Sequence, residues 1–137
     1  MMLETSAILA VLLNEPERAE FLARIEIAKS PFTSSVALSE AAMALAARTL
    51  VTPTAALTAV RAFLDEAGVS IVDFVLPMAE RAIEAREKFG RGRHPAALNF
   101  GDCLSYGAAR YYRAPLLFKG DDFAQTDITS ALPPLRR

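Results

Sequence analysis

A chain of 137 residues has the length of one domain, and a hydrophobic content of 53% excludes an intrinsically disordered segment. A net charge of −1 excludes nucleic-acid binding through bulk charge, so any such role needs a local basic patch or metal ions. The one cysteine, Cys103, excludes an internal disulfide and, beside a single histidine, a structural zinc site, which points to a cytoplasmic setting.

The chain opens with Met1–Leu3 as a short strand, then a polar junction, Glu4-Thr5-Ser6, where Thr5 or Ser6 caps a helix over Ala7–Leu13. This apolar start is short, lacks a basic leader and contains Glu4, so no secretory signal is expected. No apolar run reaches the ~18 residues of a membrane span, so no membrane association is expected. Pro16 suits the first turn of a second helix, Glu17–Ala28, with Phe21, Leu22, Ile25 and Ala28 at helical spacing. Pro31–Ser35 holds a very short strand, and Ser34 or Ser35 caps an Ala-rich helix, Val36–Arg48. Thr52-Pro53 starts a helix that runs to Ala67 and stops at Gly68. The β-branched run Val69–Val75 reads as a strand, Pro77–Phe89 as a helix, and Arg91–Asn99 as a loop. Asn99 caps a helix to Tyr112, Leu116–Phe118 is a buried strand, and Lys119–Asp122 is a turn that returns Phe123 to the core. Asp127-Ile128 begins a last short strand, and residues 131–137 form a frayed tail. The alternation of short strands and helices predicts a single-domain α/β sandwich over residues 1–137 with a mostly parallel sheet.

Five acids stand at element boundaries: Glu4, Glu40, Asp102, Asp121 and Asp122. Singly, each has an ordinary role. Glu4 and Asp102 sit where a helix dipole favours an acid, Glu40 fits a polar helix face, and the aspartate pair suits a turn. Together they are more telling, because sites in parallel sheets form beyond the strand carboxyl ends, where Glu4, Asp121 and Asp122 fall. Converging carboxylates repel one another and call for a divalent cation, most simply Mg²⁺ or Mn²⁺. Such an ion suits phosphoryl hydrolysis. The lone His94 has no nucleophile placed beside it for a triad.

The segments LETSAIL (Leu3–Leu9), SSVALSEAAMAL (Ser34–Leu45), ALNFGDCLSYGAA (Ala97–Ala109) and APLLFKGDDF (Ala114–Phe123) carry a family resemblance over nearly the whole chain. It resembles the PIN-domain ribonucleases, in particular the VapC toxins of bacterial type II toxin–antitoxin pairs. The resemblance implies a PIN-like three-layer sandwich with a short, mostly parallel sheet flanked by helices. It implies a Mg²⁺- or Mn²⁺-dependent endoribonuclease that hydrolyses RNA phosphodiester bonds, forms a homodimer and is held inactive by an antitoxin. Carried over by position, Glu4 is the first acid, Glu40 the acid of the third helix and Asp102 the acid of the NFGD segment. The last acid falls in Gly120-Asp121-Asp122, with Asp122 preferred and Asp121 kept beside it. Thr5 or Ser6 donates to the first acid or to a bound water.

One position departs from the family pattern, which has aspartate where this chain has Glu4. One extra methylene moves the carboxylate by about 1 Å, and Mg²⁺ demands near-ideal octahedral distances. Activity below that of an E4D variant is therefore expected. Arg91, Arg93, Lys119 and His94 flank the acids as a phosphate-binding rim, and Phe100, Tyr106, Tyr111 or Tyr112 offers stacking surfaces for single-stranded RNA. The Ala-rich helices Val36–Arg48 and Pro53–Ala67 are candidates for the dimer face and the antitoxin groove. The competing readings are an RNA- or antitoxin-binding module with little catalysis because of Glu4, and a structural protein whose acids only cap helices.

Overall fold

The computed structural model describes residues 1–133. Four strands, β1 (Met2–Leu3), β2 (Phe32–Ser34), β3 (Ser70–Val72) and β4 (Leu116–Leu117), form one sheet in the order β3-β2-β1-β4. Every pairing is parallel, with Met2 opposite both Phe32 and Leu116. Six helices surround the sheet: α1 (Thr5–Leu12), α2 (Arg18–Ile27), α3 (Ser35–Thr49), α4 (Pro53–Glu66), α5 (Leu76–Phe89) and α6 (Phe100–Tyr111).

Successive strand side chains point to opposite faces, so β1 and β4 each feed two cores. Leu3 and Leu117 pack with Ile8, Phe21, Leu45, Val60 and Leu64 from α1 to α4. Met2 and Leu116 pack with Met78, Ala82, Ala85, Tyr106 and Ala109 from α5 and α6. The result is the expected three-layer α/β sandwich. Gly107 sets the separation of α5 and α6, because a Cβ there would lie 2.3 Å from the Met78 carbonyl oxygen.

The expected caps form at Ser34, Thr52 and Asn99, whose side chains accept from the backbone N–H of Ala37, Ala55 and Asp102. Gly68 follows α4 with φ of 70°, as the end of a helix requires. Three expectations change. First, α1 begins at Thr5, because Glu4 and not Thr5 or Ser6 is its N-cap. Second, Asp127-Ile128 is no strand. Asp127 is held by side chains of α6, Ile128 is drawn into the core, and the chain reaches β4 only through a single bridge between Leu116 and Ser130. Third, the expected frayed tail starts later than 131. Ala131 is buried, donates to the Leu116 carbonyl at 2.9 Å and accepts from Arg24 Nε at 2.7 Å. The rest of that tail, residues 134–137, lies outside the described residues.

Candidate active site

Beyond the carboxyl ends of β1 and β4 lies a cleft of about 190 Å³ whose lining includes Glu4, Ser6, Glu40, Asn99, Asp102 and Asp122. Each acid arrives on a different element. Glu4 is the residue after β1, Glu40 lies on the second turn of α3, Asp102 on the first turn of α6, and Asp122 follows the turn after β4. The parallel sheet therefore gathers Glu4 and Asp102, which are 98 residues apart in sequence, at the starts of α1 and α6.

Glu4 is almost fully buried, with 4% of its surface exposed. Its Oε2 accepts from the Ser6 backbone N–H at 2.7 Å and from the Ser6 hydroxyl. Ser6 Oγ in turn accepts from the Lys119 backbone N–H at 2.9 Å, which ties the turn after β4 to the start of α1. Oε1 makes no hydrogen bond among the described residues. Burial raises the Glu4 pKa to about 7. The Ser6 hydrogen bonds oppose that rise, and the charges of Asp102 and Glu40 add to it.

Asp102 is half-buried and forms a reciprocal capping box with Asn99. Its Oδ2 accepts from the Asn99 N–H at 3.0 Å, while Asn99 Oδ1 accepts from the Asp102 N–H at 2.9 Å. One carboxylate oxygen is thus committed to the helix start and the other is not. Burial again raises its pKa, reinforced by Asp122 and Glu40 and countered by the Asn99 hydrogen bond and by Arg91. Glu40 and Asp122 are exposed. Glu40 lies directly against Gly101, where a Cβ would come within 2.1 Å of Glu40 Oε2.

The other residues expected here divide. Thr5 lines the cleft, but its hydroxyl is directed to the Ala37 carbonyl at 3.5 Å, so Ser6 alone donates to Glu4. Lys119 also lines the cleft, yet its ammonium is held by Glu15 at 2.8 Å and Glu17 at 3.3 Å. Its contribution to the acids is its backbone N–H. Asp121 and Arg93 are exposed and do not line the cleft. His94 serves its own loop, accepting from the Ala96 N–H through Nδ1 and packing edge-on against Phe89. Sequence reasoning missed Glu15, Glu17 and the role of Gly101. Asn99 it placed as a cap, and the cap is what brings it to the cleft.

Among the described residues no three His, Cys, Asp or Glu side chains are already drawn together at metal-holding distance. The donor set nonetheless fits a hard divalent cation. All donors are carboxylate oxygens, two acids keep an uncommitted oxygen, and the two exposed acids are free to rotate. Among the described residues the only basic side chain on the cleft, Lys119, is turned away to Glu15 and Glu17. Arg91 offsets part of the charge at Asp102, and the repulsion left among the acids is an electrostatic cost that a cation removes.

The family model described as PIN domain matches residues 1–128. "VapC ribonuclease Mb0640" of Mycobacterium bovis and "Ribonuclease VapC30" of Mycobacterium tuberculosis are each 40% identical over 134 residues, 97% of this chain and 100% of the relative. "Ribonuclease VapC" of Mycolicibacterium smegmatis is 36% identical over 132 residues, 95% of this chain and 98% of its own length. Among solved structures, Mycobacterium tuberculosis VapC20, described as a sarcin–ricin loop cleaving toxin, superposes with a TM-score of 0.73 at 17% identity, covering 93% of this chain and 95% of that one. A toxin–antitoxin complex from Klebsiella pneumoniae gives 0.68 at 16% identity, covering 92% of each.

Proposed function

The chain belongs to the PIN domain family, and we propose that it acts as a VapC-type toxin, an endoribonuclease that hydrolyses RNA phosphodiester bonds with the help of a divalent cation. The observation that carries the site assignment is the meeting of Glu4, Glu40, Asp102 and Asp122 on one small cleft at the carboxyl ends of the sheet. Glu4, Asp102, Asp122 and Glu40 would hold the ion, Mg²⁺ in the first place and Mn²⁺ as its substitute. A divalent cation supplies positive charge to a phosphodiester under attack by water.

The chain's own residues set up that chemistry. Ser6 fixes one oxygen of Glu4 and leaves the other toward the cleft. Asn99 does the same for Asp102. Glu40, exposed and lying beside Gly101, would orient a water and take its proton, and Asp102 would share that role. Asp122 closes the cleft from the turn after β4. Asp121, one residue earlier in that turn, is the reserve acid. Arg91 offsets charge beside Asp102, and Arg93 forms the outer phosphate rim.

The reading as a binding module without catalysis is not favoured, because Glu4 keeps an uncommitted oxygen and relatives 36–40% identical to the chain are named ribonucleases. An antitoxin partner follows from the toxin assignment. The exposed side chains Met43, Leu50 and Val51 on α3 and the α3–α4 turn are the apolar surface we assign to partner contacts, antitoxin or second copy. Among the described residues no single helix is long and apolar enough to cross a membrane. A cytoplasmic homodimer is part of the same toxin proposal. RNA incubated with the purified protein tests the function. Cleavage that needs Mg²⁺, stops with EDTA and is lost in Asp102→Asn supports it, and metal-independent cleavage or none at all overturns it.

A further inference from the structure

The helix pair α5–α6 carries a groove of about 380 Å³ beside the acidic cleft. Its floor is apolar, with Ala82, Ile83 and Leu104, and Arg86 and Arg91 stand on its rim. Among the described residues no acid lines it, in contrast to the adjoining cleft. Asn99 lines both, so the groove and the cleft adjoin at the start of α6.

Phe100 is the feature that needs a purpose. It is the first residue of α6 and leaves 80% of its surface exposed. The capping box that starts the helix uses Asn99 and Asp102 and makes no demand on residue 100. The other aromatic residues of α6 are engaged elsewhere. Tyr106 is buried and donates to Asp127 at 2.6 Å, while Tyr111 and Tyr112 pack against each other at the far end of the helix, with Tyr112 also on Phe32. Phe100 forms no aromatic pair among the described residues.

A flat apolar surface, an apolar slot and two guanidinium groups at its rim match the chemistry of a nucleotide, which joins a π-face to an anion. We propose that this groove receives one unpaired base of the RNA next to the phosphodiester held in the cleft, stacked on Phe100, with Arg86 and Arg91 meeting the flanking phosphates. The RNA path then leaves the acids over the start of α6. A base inside a duplex is stacked on both faces and cannot enter, so the groove selects single-stranded segments. This inference rests on the ribonuclease reading for its ligand.

Binding of a labelled single-stranded RNA oligonucleotide in EDTA, followed by fluorescence anisotropy, tests it without catalysis. Phe100→Leu is expected to raise Kd about tenfold, and Phe100→Trp to keep it near the wild-type value. Arg91→Gln is expected to lower the slope of log K against log salt by about 0.7. Ile27→Ala, exposed on α2, serves as the unaffected control. Wild-type affinity for Phe100→Leu overturns the proposal, as does an equal loss for duplex RNA. A fall in molecular mass of Phe100→Leu by light scattering with RNA affinity intact also overturns it, by showing that a second copy covers this face. Metal-dependent cleavage by the wild type alongside unchanged Phe100→Leu binding would sink this inference and leave the ribonuclease reading standing.

Discussion

Glu40 and Gly101 are matched across the α3–α6 contact: a methyl group at 101 would lie 2.1 Å from Glu40 Oε2 and 2.9 Å from its Cδ. The glycine is what lets an acid on one helix lie against the backbone beside Asp102 on another. Because the obstructed atoms are the end of a flexible side chain, the obstruction is relieved by moving the carboxylate and not the fold. Gly101→Ala is therefore expected to change stability by no more than ~1 kcal/mol, since alanine is the better helix former. RNA cleavage is expected to fall by about 100-fold, the scale of an ångström-sized misplacement. Thermal denaturation and cleavage rates on one preparation check both parts.

Gly107 makes the opposite case. A Cβ there meets backbone, the Met78 carbonyl at 2.3 Å and the Ala82 nitrogen at 2.9 Å. Backbone cannot swing aside, so α5 and α6 must separate. Gly107→Ala is expected to cost about 1–3 kcal/mol in urea denaturation, with activity surviving in the folded fraction.

Glu4 links pH to stability. Its folded-state pKa of about 7 lies above the ordinary 4.5, chiefly through burial. Between those values the folded protein binds more protons than the unfolded chain, so stability falls as pH rises. The contribution is fully present below pH 4.5 and lost as pH passes through 7, amounting to a few kcal/mol at most, about 1.4 per pKa unit. Metal-free wild type is expected to lose stability from pH 5 to pH 8 by ~3 kcal/mol, and Glu4→Gln to flatten that profile. An identical slope in the two proteins would contradict the assignment.

The same residue is expected to limit the rate. The long side chain folds back to cap α1 through Ser6, which leaves Oε1 alone for a cation. Glu4→Asp keeps an acid suited to the cap and shortens the reach by one methylene. Cleavage by Glu4→Asp is expected to exceed wild type by about tenfold, with tighter Mg²⁺ binding. Parallel metal titrations and RNA cleavage assays decide it, and equal affinities with equal rates would count against it.

Much of the fold was legible because its signals are local. Ser34, Thr52, Asn99 and Gly68 each announce a helix end through their own chemistry, and the paired aliphatic residues of β1 and β4 announce buried strands. The start of α1 was misplaced because glutamate is an unusual cap, and here it caps only by folding onto Ser6. Ile128 looked like strand because it is buried, yet its neighbour Asp127 is fixed by Tyr106 and Arg110 and not by a ladder. Glu4, Glu40 and Asp102 were singled out by their places near element starts and by the motifs of the family resemblance, while the last acid was left between Asp122 and Asp121. The fate of Lys119 was not, since its partner Glu15 lies 104 residues away. Nor was Gly101, whose value lies wholly in a contact with another helix.

The central claim, that Glu4, Glu40, Asp102 and Asp122 share one divalent cation, is tested most directly by Mn²⁺ binding. Calorimetric titration of wild type and of the four single variants E4Q, E40Q, D102N and D122N gives the answer. The account predicts saturable binding by wild type and a weaker or absent signal in each variant, with the largest losses at Glu4 and Asp102. Undiminished Mn²⁺ binding in all four variants would contradict it.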